Sequence, residues 1–251
     1  MHASKLAKKN NILYHRILLK LSGKIFAGER EFGIDPHTVD YLTNEIIEAH
    51  KLGVQIAIVV GGGNIFRGKE LEKLIDIPRV VSDYVGMLST AINGLVLQAS
   101  LEKHDIETRM LTAIEIAKLA EPYIRRRALK HLDKGRIIIF TCGIGTPFIT
   151  TDTAAALRGI EIDADAILKG TQVEGVYDQD PFASKNAKMF KKLSYHEILH
   201  SKLGIMDLTA VTLCEERKIP IIVFNMKKKG NLIRVIKGEP CGTLIGHSDE
   251  A

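Results

Sequence analysis

Tryptophan is absent from this chain, and aromatic residues fill only 6% of its 251 positions. Ile, Leu, Val and Ala with 21 glycines supply the apolar mass instead, which favours helices packed on a parallel sheet over all-β or coiled-coil architectures. The three cysteines, Cys142, Cys214 and Cys241, are odd in number and form no Cys-x-x-Cys pair, so neither a disulfide framework nor a zinc site is expected. A reducing cytoplasm is the default compartment. No run reads as long and apolar enough to span a bilayer, so no membrane partner is expected. Lys5, Lys8, Lys9 and Arg16 make the start basic, but His15, Arg16 and Lys20 break the apolar stretch that a secretory signal would need. Residues 1–15 are read as a frayed, basic N-terminal extension.

What is present suits a globular protein: 45% hydrophobic and 26% charged residues, with a mean hydropathy of +0.04. Thirty-five Lys and Arg against thirty Asp and Glu leave a formal charge of +5, which suits an anionic partner such as a nucleotide, a nucleic acid or an acidic metabolite.

Periodicity organises the chain. Residues 17–21 are a short apolar run interrupted only by Lys20, the pattern of a buried strand that ends in a turn at Ser22 and Gly23. Val39, Leu42, Ile46 and Ala49 recur at helical spacing over 36–52, Pro36 suits the first turn, and Gly53 stops the pattern. Residues 54–60 are a continuous apolar run ending in Gly61, Gly62, Gly63 and Asn64, so the opening is a βαβ unit with a glycine loop. Helices are expected at 80–103, 125–133, 194–199, 207–218 and 231–237, and strands at 136–140, 164–168, 219–224 and 242–245. Thr150, Thr151 and Asp152 stand where a cap should precede a helix at 154–157. The expected fold is one three-layer α/β domain over residues 16–251, its lobes meeting near residue 130.

Ligands of open α/β sheets gather at the C-terminal ends of strands, where four suspicious segments lie: 20–23, 61–67, 143–152 and 171–180. Successive glycines let backbone N–H groups approach an anion. Gly63 to Lys69 fits most of a P-loop, but Glu70 replaces the Ser or Thr that would hold magnesium, and no complete Gly-x-Gly-x-x-Gly pattern follows residue 143. Lys20 inside a buried strand needs an anion to offset its desolvation, unless it sits at an exposed end. Taken singly, Asp152 and Asp207 read as helix caps, Arg67 as a surface residue, Asp83 as a solvated helix residue, Thr171 as a turn hydroxyl and Asp180 as an Asx turn before Pro181. Together they form the inventory of phosphoryl transfer.

Lys20 to Gly23, Gly61 to Gly68, Asp83 with Gly86, Met87 and Leu88, Gly145 to Asp152, Lys169 to Thr171, Asp178 to Pro181 and Met206 to Leu208 give the chain its resemblance to bacterial uridylate kinases of the amino acid kinase fold family. The resemblance covers residues 16–245. It implies a three-layer α/β/α sandwich with a mainly parallel central sheet, a homohexamer, and transfer of a phosphoryl group from ATP to UMP in pyrimidine nucleotide biosynthesis. Magnesium (Mg2+) would be held mainly by nucleotide phosphates and water. By motif, Lys20, Leu21, Ser22 and Gly23 would meet the ATP phosphates, and Gly63 and Arg67 would bridge the reacting groups. Thr171, Tyr177 and Asp180 would lie on the ATP side, while Asp152 and Asp207 would orient the catalytic cations. UMP would be met by Gly62, by Asp83 at the ribose, and by Ile144, Gly145, Thr146, Pro147, Phe148, Ile149, Thr150 and Thr151.

GTP as activator and UTP as inhibitor also come with the resemblance, the segment Gly28, Glu29, Arg30, Glu31, Phe32 and Gly33 being the GTP-effector counterpart. Two departures stand out. Lys24 replaces a glutamate, and the effector segment matches only partly, with Glu29 and Glu31 flanking a single Arg30. Three other readings stay open: a kinase of the same fold acting on a carboxylate or carbamate, a basic nucleic-acid-binding protein, and a nucleotide sensor without catalysis.

Overall fold

The computed structural model describes residues 11–66, 77–184, 186–201, 203–204 and 206–247. At its centre lies β1 (Arg16–Leu21), whose alternate residues feed opposite cores: Ile17, Leu19 and Leu21 on one face, Leu18 on the other. Both faces are therefore covered, and strand side chains are apolar on both sides as a parallel sheet requires. The remaining strands of the main sheet are β2 (Gln55–Val60), β3 (Thr108–Thr112), β4 (Glu121–Pro122), β5 (Ile137–Thr141), β6 (Ala166–Thr171), β9 (Lys192–Ser194), β10 (Ile221–Asn225) and β11 (Thr243–Gly246). Their order is β4-β3-β5-β2-β1-β6-β10-β11-β9, and every pairing is parallel except β10 with β11. Outside it, β7 (Val176–Tyr177) and β8 (Met189–Phe190) form a small antiparallel pair.

Among the described residues, one face carries α2 (Pro36–His50), α3 (Arg79–Glu102) and α8 (Asn231–Ile236). The other carries α4 (Arg125–Asp133), α5 (Thr151–Glu161), α6 (Tyr195–Ser201) and α7 (Leu208–Arg217). This is the expected three-layer sandwich. The chain leaves β1 towards α2 on one face and leaves β6 towards α6 and α7 on the other. Adjacent strands with connections to opposite faces make a topological switch point, the crevice where open α/β sheets bind ligands.

Several expectations are corrected. A four-residue helix, α1 (Gly23–Phe26), follows β1 directly in place of a turn. The strand expected near 136 is preceded by β3, whose Thr108, Arg109 and Thr112 hide the apolar pattern. One helix does meet the length and composition needed to cross a membrane: α3 has 24 residues. It is instead a helix of the core layer, with Met87, Ala91, Leu97 and Leu101 buried against the sheet. Residues 11–15 are anchored as well, since Ile12 is buried and the Leu13 and Tyr14 N–H groups donate to the Ile236 carbonyl.

Candidate active site

Lys20 on β1 and Lys169 on β6 are register partners at the switch point. Both are buried, 7% and 9% exposed, and both turn to one carboxylate in the first turn of α5. Lys20 Nζ lies 2.6 Å from Asp152 Oδ1, and Lys169 Nζ donates to Oδ2 over 2.8 Å. Burial alone would raise the Asp152 pKa, but the two ammonium groups outweigh it and hold the carboxyl below its usual range. For Lys169, burial and then the charge of Lys20 push the pKa down to about 8, against the pull of Asp152 and Asp207. Two cations thus share the two oxygens of one buried carboxylate, with Asp207 a further negative charge acting on Lys169.

Asp207 precedes α7 and caps it, accepting from the Ala210 N–H at 2.9 Å. The same carboxylate accepts from the Thr153 hydroxyl at 2.7 Å and from the Thr150 hydroxyl. Thr150 in turn caps α5 through the Asp152 and Thr153 N–H groups. The bland reading of Asp207 as a cap is thus observed, and it extends to a second helix. Asp152 is not a cap; it is the shared counter-ion.

The glycine loop is built by close approach. A Cβ on Gly61 would lie 2.7 Å from the Gly23 nitrogen, and one on Gly62 would lie 2.8 Å from the Gly86 carbonyl, whereas Gly63 faces open space. Buried Asn93 of α3 supports the loop, donating to the Gly61 carbonyl and to Asn64 Oδ1 at 2.7 Å each. Ser22 and Gly23 begin α1 beside this loop. Arg67 falls outside the described residues.

Two cavities open at these strand ends, one at the glycine loop and the start of α5 and one lined by Lys169 itself. One, of about 190 Å³, is lined by Gly62, Gly63, Ser82, Asp83, Ile149 and Thr151 among others. Ile144, Gly145, Thr146, Pro147, Phe148 and Thr150 follow the same loop outside this lining. The Phe148 N–H donates to Asp83 Oδ2 at 2.7 Å, and Arg79 Nε pairs with Oδ1 at 2.8 Å, so Asp83 ties the loop to α3. The other cavity, of about 510 Å³, is lined by Lys169, Thr171, Tyr177, Asp178 and Asp180 among others. Thr171 shapes its turn by donating to the Val173 carbonyl, and Asp180 accepts from the Phe182 N–H as an Asx turn. Both bland readings hold, and both residues still line the cavity.

Gly28 to Gly33 stands apart from the lysine pair. Gly28, Glu29 and Arg30 border a third cavity of about 520 Å³ with Asp35, His37 and Lys227, while Glu31 and Phe32 are exposed. Lys24 is exposed on α1. Lys169 is the site residue that sequence reasoning left without a role. Its signal is a charge at the end of an apolar run, as at Lys20, but the sequence pattern reads as a strand only to residue 168, whereas β6 continues to Thr171.

The pattern of the amino acid kinase family matches residues 15–225. The chain is 49% identical over 238 residues to uridylate kinase PUMPKIN, chloroplastic, of Arabidopsis thaliana, spanning 95% of this chain and 70% of that one. Among solved structures, UMP kinase from Bacillus anthracis superposes with a TM-score of 0.91 at 41% identity, covering 94% of this chain and 97% of the other. UMP kinase from Ureaplasma parvum gives 0.87 at 34% identity, covering 94% and 100%. Family pattern, sequence identity and superposition over 94% of the chain agree: the chain belongs to the amino acid kinase family.

Proposed function

We propose that the protein transfers the terminal phosphoryl group of ATP to UMP, giving ADP and UDP. The observation that carries this reading is the buried Lys20–Asp152–Lys169 cluster at the switch point, with one cavity lined by Lys169 and another bordered by Thr151 beside Asp152. The likeness to proteins named uridylate or UMP kinase supplies the acceptor. In this reading ATP takes the cavity at Thr171, Tyr177 and Asp180, with its phosphates on Lys20, Ser22, Gly23 and Gly63. UMP takes the cavity at Gly62 and Asp83 under the loop from Ile144 to Thr151, and Arg67 reaches the reacting groups.

No protein nucleophile or base is needed, because the acceptor brings a phosphate oxygen largely ionised near neutral pH. The chain's work is to bring two anions into line and to offset the charge that spreads over the transferred group. Lys20 and backbone N–H groups supply positive potential, and the cap network of Thr150, Thr153 and Asp207 fixes Asp152. Among the described residues no group of three or more His, Cys, Asp or Glu could hold a metal ion. Asp152 is taken up by ammonium groups and Asp207 by hydroxyl and N–H donors. Magnesium accordingly belongs to the reading as part of the MgATP substrate, with phosphate and water ligands.

A homohexamer is part of the proposal. Val80, Tyr84, Leu88 and Ile92 are all more than 40% exposed and recur every fourth residue along α3, an apolar stripe suited to a second copy. Sedimentation velocity tests it. UTP inhibition, a GTP response weakened by the carboxylates of the 28–33 segment, and a cytoplasmic setting that keeps the three thiols free belong to the same reading. The deciding experiment measures ADP release from ATP with UMP, CMP and AMP offered separately. Turnover should be selective for UMP; turnover with none of them, or preference for another acceptor, overturns the assignment.

A further inference from the structure

We propose that Lys169 is a positioning residue for phosphoryl transfer: from β6 it holds Asp152, and through Asp152 it sets how far the Lys20 ammonium is free to meet a donor phosphate. The proposal rests on the phosphoryl-transfer reading above and adds a residue and a control point to it.

The geometry argues for more than a structural ion pair. Lys20 and Lys169 are opposed in the β1–β6 register, and each takes one oxygen of the same carboxylate, at 2.6 and 2.8 Å. One lysine would neutralise Asp152. A second buried ammonium costs desolvation that the carboxylate cannot fully offset, so a merely structural site would be more stable without it. Asp207 also acts on Lys169, but its oxygens are engaged by Thr150, Thr153 and the Ala210 N–H; Lys169 itself lines the donor cavity, where an incoming polyphosphate would offset its charge.

The charged groups around Lys169 are Lys20 from β1, Asp152 from α5 and Asp207 ahead of α7, with Tyr177, Asp178 and Asp180 across the cavity. From β10 its register partner is the uncharged Val223. Burial and Lys20 bring its ammonium within reach of proton loss near pH 8. While Lys169 is charged, Asp152 is divided between two cations and Lys20 stays available to phosphate. Once Lys169 is neutral, Asp152 pairs with Lys20 alone and competes with the donor for it.

The test measures kcat and KM for MgATP and UMP from about pH 6 to about pH 10 in the wild type, Lys169→Arg and Lys169→Met, with circular dichroism to verify folding. In the wild type kcat/KM for MgATP should fall through an alkaline limb near pH 8, the pH at which the ligand-free site loses the Lys169 charge, while KM for UMP changes little. Lys169→Arg should keep measurable turnover and move that limb up by about one pH unit or more, because a guanidinium does not titrate there. Lys169→Met should lose about tenfold or more in kcat at neutral pH, the scale on which misplaced catalytic groups act. An alkaline limb at the same pH in all three proteins, or full turnover in a folded Lys169→Met, overturns the proposal. A wild type without turnover on UMP sinks the underlying reading instead. In that case the ε-carbon NMR signal lost in Lys169→Met decides: it should titrate near pH 8 in the free protein and move upward with ADP, and a signal indifferent to ADP overturns the role.

Discussion

At Lys20 the cost of burying a charge is offset by Asp152, and this pairing makes the residue both removable and necessary. Truncation leaves one ammonium, Lys169, on one carboxylate, a balanced pair, so Lys20→Ala should fold with a native circular dichroism spectrum. Its kcat should fall on the order of a hundredfold, the loss typical of one transition-state charge donor. Wild-type turnover in the folded variant would remove Lys20 from the mechanism. Asp83 is a different case, since its carboxylate is engaged by Arg79 Nε and the Phe148 N–H, so its removal loosens the loop from α3 and would, on the proposed function, also weaken the hold on the acceptor. Asp83→Asn should raise KM for UMP and leave KM for ATP nearly unchanged, as steady-state kinetics with each substrate varied will show; equal weakening of both would contradict the assignment. Lys20 was legible in the sequence because a charge interrupted an apolar run. Asp152 as a shared counter-ion was not, because the sharing arises only when two parallel strands and the start of a third element meet in space.

The element that binds these residues together is the N-terminus of α5. Thr150 caps it, and through its own hydroxyl it reaches Asp207, the cap of α7, so one side chain locks two helix ends in register. Thr150→Ala removes both links. It should cost about 1 kcal/mol, the usual value of a Ser or Thr cap. For a chain of this size that corresponds to a Tm lower by about 2–4 °C, read by thermal unfolding. An unchanged Tm would mean that Asp207 alone holds the junction. That a cap stands at 150–152 was legible from the alanines at 154–156, but that Thr150 rather than Asp152 supplies it was not, because any of these three side chains can cap a helix. Long helices with clear periods, such as α2, were equally legible, whereas β3, β8 and β9 were not. β3 and β9 are short and rich in polar residues, β8 is only two residues long, and in each case the sheet partners define the strand.

Across the whole molecule the switch point places the candidate site, and the segment from Gly28 to Gly33 borders a third cavity that is linked to it. This segment is tied to the glycine loop: the Gly33 N–H donates to the Asn64 carbonyl at 2.7 Å, and Asn64 Nδ2 donates to the Gly33 carbonyl at 2.8 Å. A ligand that ordered the segment would therefore act on the loop. Its charges oppose a triphosphate, however. Glu29 is paired with Lys227 at 3.4 Å and Arg30 lies 3.9 Å from Asp35, so each cation bordering the cavity already faces a carboxylate, and Glu31 adds another negative charge beside them. Binding a triphosphate here means separating these pairs and placing like charges together, which costs affinity unless a neighbouring subunit adds cations. GTP should thus raise the initial rate at subsaturating ATP by less than about fivefold, the lower end of ordinary allosteric coupling. Initial rates with and without GTP give the measurement, and Glu29→Gln should increase any response by removing one opposing charge. Strong activation by GTP that disappears in Arg30→Ala would show that the segment binds the nucleotide despite its carboxylates.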